Sequence, residues 1–299
     1  MIRNWFSKTA SAPQQSNAVV RVIGDRSSGK TAYMASLARW PNADPASPVQ
    51  TVIPVGEWGE ELISKAQNIL EQGLELEATD LDPSMLKDYT LSITLKGQFS
   101  RNNPQIARGS QLVNLNISSK DYSGEFFADL LYQAGNPRLE EYLEDCSLAT
   151  GIMFLVDGNS RAKDFEYANG LDKFLTSLDR TDMDMGTRRI ALVLTKCEQS
   201  ELWVNRHKPA FLAEARFPQV HRKLQAWQQL GGGKVDYFTA SAFGMLGNRY
   251  PEPNVQVLRR GRDGVNAIIK DPKRWRPFGL VAPIYWLCTG DRHKELDKG

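Results

Sequence analysis

Cysteine, histidine and net charge are all scarce in this sequence, and each scarcity excludes a class of function. The three cysteines (Cys146, Cys197, Cys288) lie far apart, form no C-x-x-C pair and are odd in number, so they make no disulfide framework. A reducing compartment, the cytoplasm, is the expectation. The three histidines (His207, His221, His293) have no metal-ligand spacing with those cysteines. A formal net charge of +2, from 37 basic and 35 acidic side chains, is too weak for a general nucleic-acid binder. No apolar run approaches the length of a membrane span. The opening MIRNWFSKTA lacks the apolar stretch of a secretory signal. No internal repeat is evident.

What is present suffices for a sizeable core: 41% of 299 residues are hydrophobic and 24% charged, an ordinary balance for a globular chain. Residues 1–17, rich in Ser, Ala, Pro, Gln and Asn, read as a flexible tail, with Trp5 and Phe6 its large apolar groups. Residues 18–290 read as one domain, and 291–299 as a short polar tail.

The stretch GDRSSGKT, Gly24 to Thr31, fits G-x-x-x-x-G-K-[ST]. In that pattern glycines let backbone N–H groups turn inward around phosphate oxygens. Gly24, Ser27, Ser28 and Gly29 would form the cradle. Lys30 would face the outer phosphates, and the Thr31 hydroxyl would be placed for Mg²⁺. The β-branched run from Ala18 to Ile23 predicts a strand before the loop, and the residues from Ala32 to Trp40 predict a helix after it. The positive end of that helix would aim at the same anion.

The period of two in Tyr89, Leu91, Ile93, Leu95 and again in Val113, Leu115, Ile117 predicts half-buried strands forming an antiparallel pair. The unbroken apolar runs Ile152–Val156 and Ile190–Leu194 predict interior parallel strands covered on both faces. Crossover helices are expected at about 125–146, 163–179 and 210–230, a last strand at 235–239 and a closing helix near 280–288. Residues 41–87 read as a loop followed by a helix through Trp58, Leu62, Ala66, Ile69 and Leu70, capped at Gly73.

Further signals follow strand ends in order. Asp121-Tyr122-Ser123-Gly124 is a D-x-x-G sequence, in which the acid can hold Mg²⁺ through water and the glycine N–H can sense a γ-phosphate. Thr195-Lys196-Cys197-Glu198 follows the next-but-one strand, and Ser241-Ala242 follows the last. Together these motifs resemble the Ras-like branch of the P-loop GTPases. The resemblance covers about Val19 to Ala242. The long insertion before Asp121 and the D-x-x-G-E-x-F form resemble bacterial stand-alone or double-GTPase-like members.

The resemblance implies a mostly parallel six-stranded α/β sheet with helices on both faces, one antiparallel edge strand and a helical insertion at 41–87 carrying a first switch. It implies Mg²⁺ and GTP or GDP binding, slow hydrolysis, and an effector or regulatory protein that reads the switches. Thr195, Lys196 and Glu198 would take the guanine base, with Glu198 one methylene longer than the usual Asp, and the backbone of Ser241 and Ala242 would contact the base oxygen. A switch threonine is expected at Thr79 or Thr51, with Thr79 favoured by its place before the Tyr89 strand. Two departures bear on turnover. Glu125 stands where a water-orienting glutamine is usual, and Arg26 stands where glycine is usual. Arg26 is either an internal arginine finger or a solvent-facing side chain. Two other readings remain: a nucleotide-binding scaffold without turnover, and an ATP-using P-loop enzyme, against which the Thr195–Glu198 motif argues. The basic stretch from Arg259 to Arg276 reads as a solvated face, and leaves peripheral contact with an anionic lipid or acidic partner open. Oligomeric state is not legible.

Overall fold

In the computed structural model, the residues described are 14–17, 19–43, 47–73, 88–96, 113–120, 126–132, 135–179, 188–247, 252–261 and 264–297. At the centre lies a parallel sheet in the order β2-β6-β7-β8, formed by Val20–Gly24, Gly151–Asp157, Arg189–Thr195 and Lys234–Thr239. Alternate residues of each strand enter opposite cores. Val22, Met153, Leu155, Ala191, Val193 and Phe238 face one, and Ile23, Ile152, Phe154, Val156, Leu192 and Tyr237 face the other. This double burial explains the unbroken apolar runs, since each side chain leaves water whichever way it points. Each large one stabilises the fold by roughly 1.5–3 kcal/mol.

The first core lies under α1 (Lys30–Ala43), α2 (Glu57–Gln72) and α9 (Ala282–Thr289). The second lies under α3 (Phe126–Tyr132), α4 (Pro137–Ser147), α5 (Asp164–Asp179), α7 (Pro209–Arg216) and α8 (Pro218–Gln229), with the short α6 (Ser200–Trp203) at its margin. The expected long helix at 125–146 is divided. Asn136 accepts the Arg138 N–H at 3.1 Å and Pro137 occupies the first turn, so α4 starts afresh. Pro218 in the first turn of α8 divides the helix expected at 210–230, without a side-chain cap from Phe217. α5 can approach α3 closely because a β-carbon at Gly170 would stand 2.6 Å from the Phe127 ring.

A second sheet runs β1-β5-β4-β3, from Gln14–Asn17, Val113–Lys120, Asp88–Leu95 and Val49–Val55. β4 and β5 form the expected antiparallel pair, in register from Asp88 opposite Lys120 to Leu95 opposite Val113. The rest departs from expectation. Hydrogen bonding gives separate sheets rather than one of six strands, although β5 also lies against β2. β4 is antiparallel to both neighbours and is interior, while the edge belongs to β3, which was expected as loop. The prolines of this segment hid β3, and its place at the end of the order is what lets a strand carry Pro54. Residues 14–17, assigned to the tail by composition, form β1 and pair with β5 in parallel.

β9 (Val255–Gly261) and β10 (Gly264–Ile269) form an antiparallel hairpin that sequence reading missed. Leu258 and Ile268 rest against Gly73, whose left-handed φ of 70° closes α2 as expected. Within the basic stretch, Lys270 pairs with Glu252, and Arg274 with Asp271 at 2.8 Å. At the other end of the molecule, residues 291–297 fold back. Leu296 joins the first core, and Arg292 donates to Asp236 and to the Tyr237 carbonyl while its guanidinium covers the Phe238 ring at 4.4 Å. No described helix is long and apolar enough to cross a membrane.

Two glycines separate backbone strain from lack of room. Gly279 has φ of 70°, and a β-carbon there would stand 1.9 Å from the Thr239 carbonyl oxygen; Gly231 has φ of 87° and open space around it. Gly279→Ala is expected to cost more than about 2 kcal/mol and Gly231→Ala about 1 kcal/mol, read from urea unfolding midpoints. Equal losses would mean that the crowding at Gly279 relaxes freely.

Candidate functional site

The loops after β2, β6, β7 and β8 leave from the same edge of the parallel sheet, so the motifs meet there. β2 ends at Gly24, where a β-carbon would stand 2.5 Å from Ser28 Oγ and 2.9 Å from the Leu155 carbonyl oxygen. The loop therefore turns tightly against β6. Ser28 N–H donates to the Asp25 carbonyl at 3.0 Å, and both Ser27 (φ 66°) and Gly29 (φ 86°) are left-handed. Tyr33 N–H donates to the Gly29 carbonyl at 2.8 Å, so α1 begins directly after the turn. Lys30 and Thr31 open the first turn of α1, Lys30 partly exposed and Thr31 exposed.

This loop fits a phosphate group. Left-handed residues at 27 and 29 produce the alternation that turns successive N–H groups to one side. Ser28 Oγ is buried and has no hydrogen-bond partner among the described residues. The first turn of a 14-residue helix adds its N–H groups and positive end.

The second motif is stitched to the first. Thr195 Oγ1, at the end of β7, donates to the Ser28 carbonyl at 2.6 Å and lies 3.1 Å from the Val156 carbonyl of β6. Lys196 is left-handed (φ 57°), which throws its side chain back over the sheet edge. Its Cε comes within 4.0 Å of where a Gly29 β-carbon would be, and its Nζ pairs with Asp157 Oδ2 at 2.7 Å. Cys197 N–H donates to the Ala240 carbonyl at 3.1 Å, tying this loop to the one after β8.

Glu198 is 2% exposed. The Ser241 hydroxyl donates to its Oε2 at 2.6 Å and accepts the Gly244 N–H at 2.7 Å. Ser241 N–H is itself committed to the Phe278 carbonyl at 3.0 Å. The Ala242 carbonyl accepts from Trp275 Nε1 at 2.8 Å and Ser36 Oγ at 3.2 Å. Burial pushes the Glu198 carboxyl above its usual range, with the Ser241 hydrogen bond opposing.

Of the sequence-predicted residues, Gly24, Arg26, Ser27, Ser28, Gly29, Lys30, Thr31, Thr195, Lys196, Glu198, Ser241 and Ala242 belong to these connected loops. Arg26 is exposed, and its N–H donates to Asp25 Oδ1 at 2.7 Å. Thr79, Asp121, Gly124 and Glu125 lie outside the described residues. Thr51 sits exposed on β3, paired across to Thr94. Among the described residues no cluster of three or more His, Cys, Asp or Glu side chains could hold a metal ion. Sequence reading passed over Asp25, Asp157, Lys163 and Tyr167. Asp157 had a usable signal, an acid ending a wholly apolar strand; the others meet only through the fold.

The raised Glu198 carboxyl has a testable sign. Its proton is held more tightly in the folded than in the unfolded chain. The stability it contributes is full below the ordinary glutamate range and is lost as pH rises through the folded value. Glu198→Gln keeps an acceptor for Ser241 and does not titrate. Urea unfolding of nucleotide-free protein at a series of pH values should show the variant gaining on the wild type as pH rises through that window. A constant difference would mean that Glu198 titrates in the folded chain as it does in water.

Scanned against protein-family models the sequence matches none, and no curated protein matches it. Solved structures similar to this chain include the Arl6 (BBS3) small GTPase of Trypanosoma brucei with bound GppNp, at 11% identity over 76% of this chain and 88% of that one, TM-score 0.36. Another is an ADP-ribosylation-factor-like GTP-binding protein, the small COPII coat GTPase Sar1 of Encephalitozoon cuniculi in complex with GDP, at 14% identity, 74% and 69% coverage, TM-score 0.29. A third is the GTPase-like domain of S. cerevisiae Ski7 bound to GTP, at 11% identity, 77% and 43% coverage, TM-score 0.37, so this chain spans under half of that one. Two of these three are small GTPases, and the third is a GTPase-like domain.

Proposed function

We propose that this protein is a Mg²⁺-dependent GTP-binding switch with slow intrinsic hydrolysis. The observation that carries the reading is the 2.6 Å hydrogen bond from Thr195 to the Ser28 carbonyl, which joins a phosphate-shaped loop to a T-K-x-E loop. A phosphate site and a base site built as one unit suit a whole nucleotide, whereas an isolated anion site would need only the first.

In this reading the Ser27–Gly29 turn and Lys30 hold the β- and γ-phosphates. Lys196 lies along the base, and Glu198 accepts from it after giving up the Ser241 hydroxyl. Thr31, with Asp121 and Thr79, would hold the Mg²⁺ ion, which neutralises phosphate charge when bound. Gly124 would sense the γ-phosphate. Glu125 in place of glutamine, and an exposed Arg26 within the loop, make unassisted turnover slow. The buried Glu198 adds a cost to base binding, because its carboxylate must be charged to accept guanine N–H groups. The switch segments, near 75–90 and 121–136, would present different surfaces to a protein partner in the two nucleotide states, since only differential contacts can shift a population.

The test is a titration of purified protein with labelled GTP, GDP and ATP in Mg²⁺, followed by timing of phosphate release. Guanine nucleotides should bind in preference to ATP, and release should be slow without a partner. Lys30→Ala should weaken binding roughly tenfold or more while the protein stays folded, as expected for a lost charge-assisted contact. Unchanged affinity in the folded variant would remove the P-loop from the function, and a preference for ATP would make Glu198 a purely structural acid.

A further inference from the structure

The loop shaped for phosphate carries an anion of its own. Asp25, its second residue, is 6% exposed. A carboxylate fixed within an anion-binding turn opposes the ligand and, left unpaired, is costly to bury. Here it is met on both oxygens. Oδ1 accepts the Arg26 N–H at 2.7 Å. Oδ2 accepts the Tyr167 hydroxyl at 2.9 Å and takes the ammonium of Lys163.

Both partners come from the far side of β6. Arg161–Lys163 is a 3₁₀ turn, closed by the Lys163 N–H on the Ser160 carbonyl at 2.9 Å, and α5 begins at the next residue. Lys163 and Tyr167 are four apart and lie on one side of that start, with Nζ 5.8 Å from the ring centre. The turn cannot drift, because the Asp164 carboxylate accepts the N–H groups of Gln219 at 3.0 Å and Val220 at 3.1 Å at the head of α8. Tyr167 is buried, and burial with the Asp25 charge drives its phenol far above its ordinary range, so it stays a donor. The Lys163 side chain is partly exposed, with its charged end on a carboxylate that is 7% exposed.

We infer that Lys163 is a positioning residue for the nucleotide: its ammonium cancels the Asp25 charge and, with Tyr167, fixes Asp25, whose Oδ1 holds the Arg26 N–H, so that the Ser27–Gly29 turn keeps its phosphate-binding shape. The inference rests on the nucleotide-binding reading for its ligand, but the contact itself does not. It also makes the start of α5 part of the phosphate site, although no described atom of α5 belongs to a phosphate-binding motif.

The experiment compares Lys163→Gln, Lys163→Arg and the double variant Asp25→Asn/Lys163→Gln. In nucleotide-free protein, Lys163→Gln should speed hydrogen exchange of the amides from 25 to 29 by roughly tenfold while the interior of α1 keeps its protection. Affinity for labelled GTP and GDP should fall by roughly tenfold or more, GTP losing more because it carries more charge past the uncovered Asp25. Lys163→Arg should stay near the wild type. The double variant should recover most of the loss. Removing both partners leaves no buried charge uncovered, and the side-chain amide then at position 25 keeps its oxygen to accept from the Arg26 N–H, while its NH2 faces the Tyr167 oxygen, which can accept. A lysine that merely supports the fold would not be rescued by a second deletion. If Lys163→Gln does not fold, Tyr167→Phe, which removes one donor from the same carboxylate, carries the comparison. Wild-type exchange and affinity in the folded Lys163 variant, or a double variant as weak as the single, would overturn the inference. A wild type that binds no nucleotide would overturn the proposed function instead, and the exchange measurement would still decide whether Lys163 holds the loop.

Discussion

The Thr195 hydroxyl is the interaction on which the site depends. It stands at the end of β7 with the Ser28 carbonyl on one side and the Val156 carbonyl on the other, and its single proton takes the shorter path to Ser28. A trans peptide points its C=O and N–H in opposite directions. Holding the Ser28 carbonyl inward therefore turns the Gly29 N–H outward, to where a phosphate oxygen would sit. One side-chain contact thus orients a backbone donor, and it works because β2, β6 and β7 are parallel neighbours: β2 ends opposite Leu155, while β6 and β7 run two residues further to Asp157 and Thr195.

Around that bond, each acid has a donor. Asp25 meets Lys163, Asp157 meets Lys196, and Glu198 meets the Ser241 hydroxyl. Residues 157–164 serve as a hub: they pair with the loop after β2, with the T-K-x-E loop and with the head of α8. Arg21 extends the same logic beneath the site. It is the second residue of β2 and holds Asp145 of α4 with two hydrogen bonds of 2.5 and 2.9 Å, so the start of the strand feeding the loop is fixed to the helix beside it. These contacts are in place without a ligand, and a site formed in advance has a lower ordering cost on binding.

The parts legible in the sequence were those whose physics is local. Strands buried on both faces announce themselves as apolar runs, and the strand-loop-helix of residues 20–43 follows from composition and spacing alone. Gly73 was readable as a cap because helix ends need a left-handed residue. β3 was hidden because prolines outweighed its alternation, and only its position at a sheet edge makes them tolerable. The breaks at Pro137 and Pro218 fell inside stretches whose apolar period continues across them. The Asp25–Lys163 pair was beyond reach, since its partners are 138 residues apart and each is an ordinary charge by itself. The burial of Glu198 was equally hidden, because its motif fixes where the residue is and not which way the carboxylate faces.

The clasp formed by Arg292 has a consequence for solubility. β8 is the last strand of the parallel sheet, and an uncovered outermost strand is a template on which other chains can add. Arg292 lies across β8, taking Asp236 and the Tyr237 carbonyl and roofing Phe238, and the turn that follows buries Leu296. A chain clipped before Arg292 would keep every residue of the proposed nucleotide site while offering part of β8 and an apolar patch to its neighbours. Its failure would appear first as self-association at high concentration.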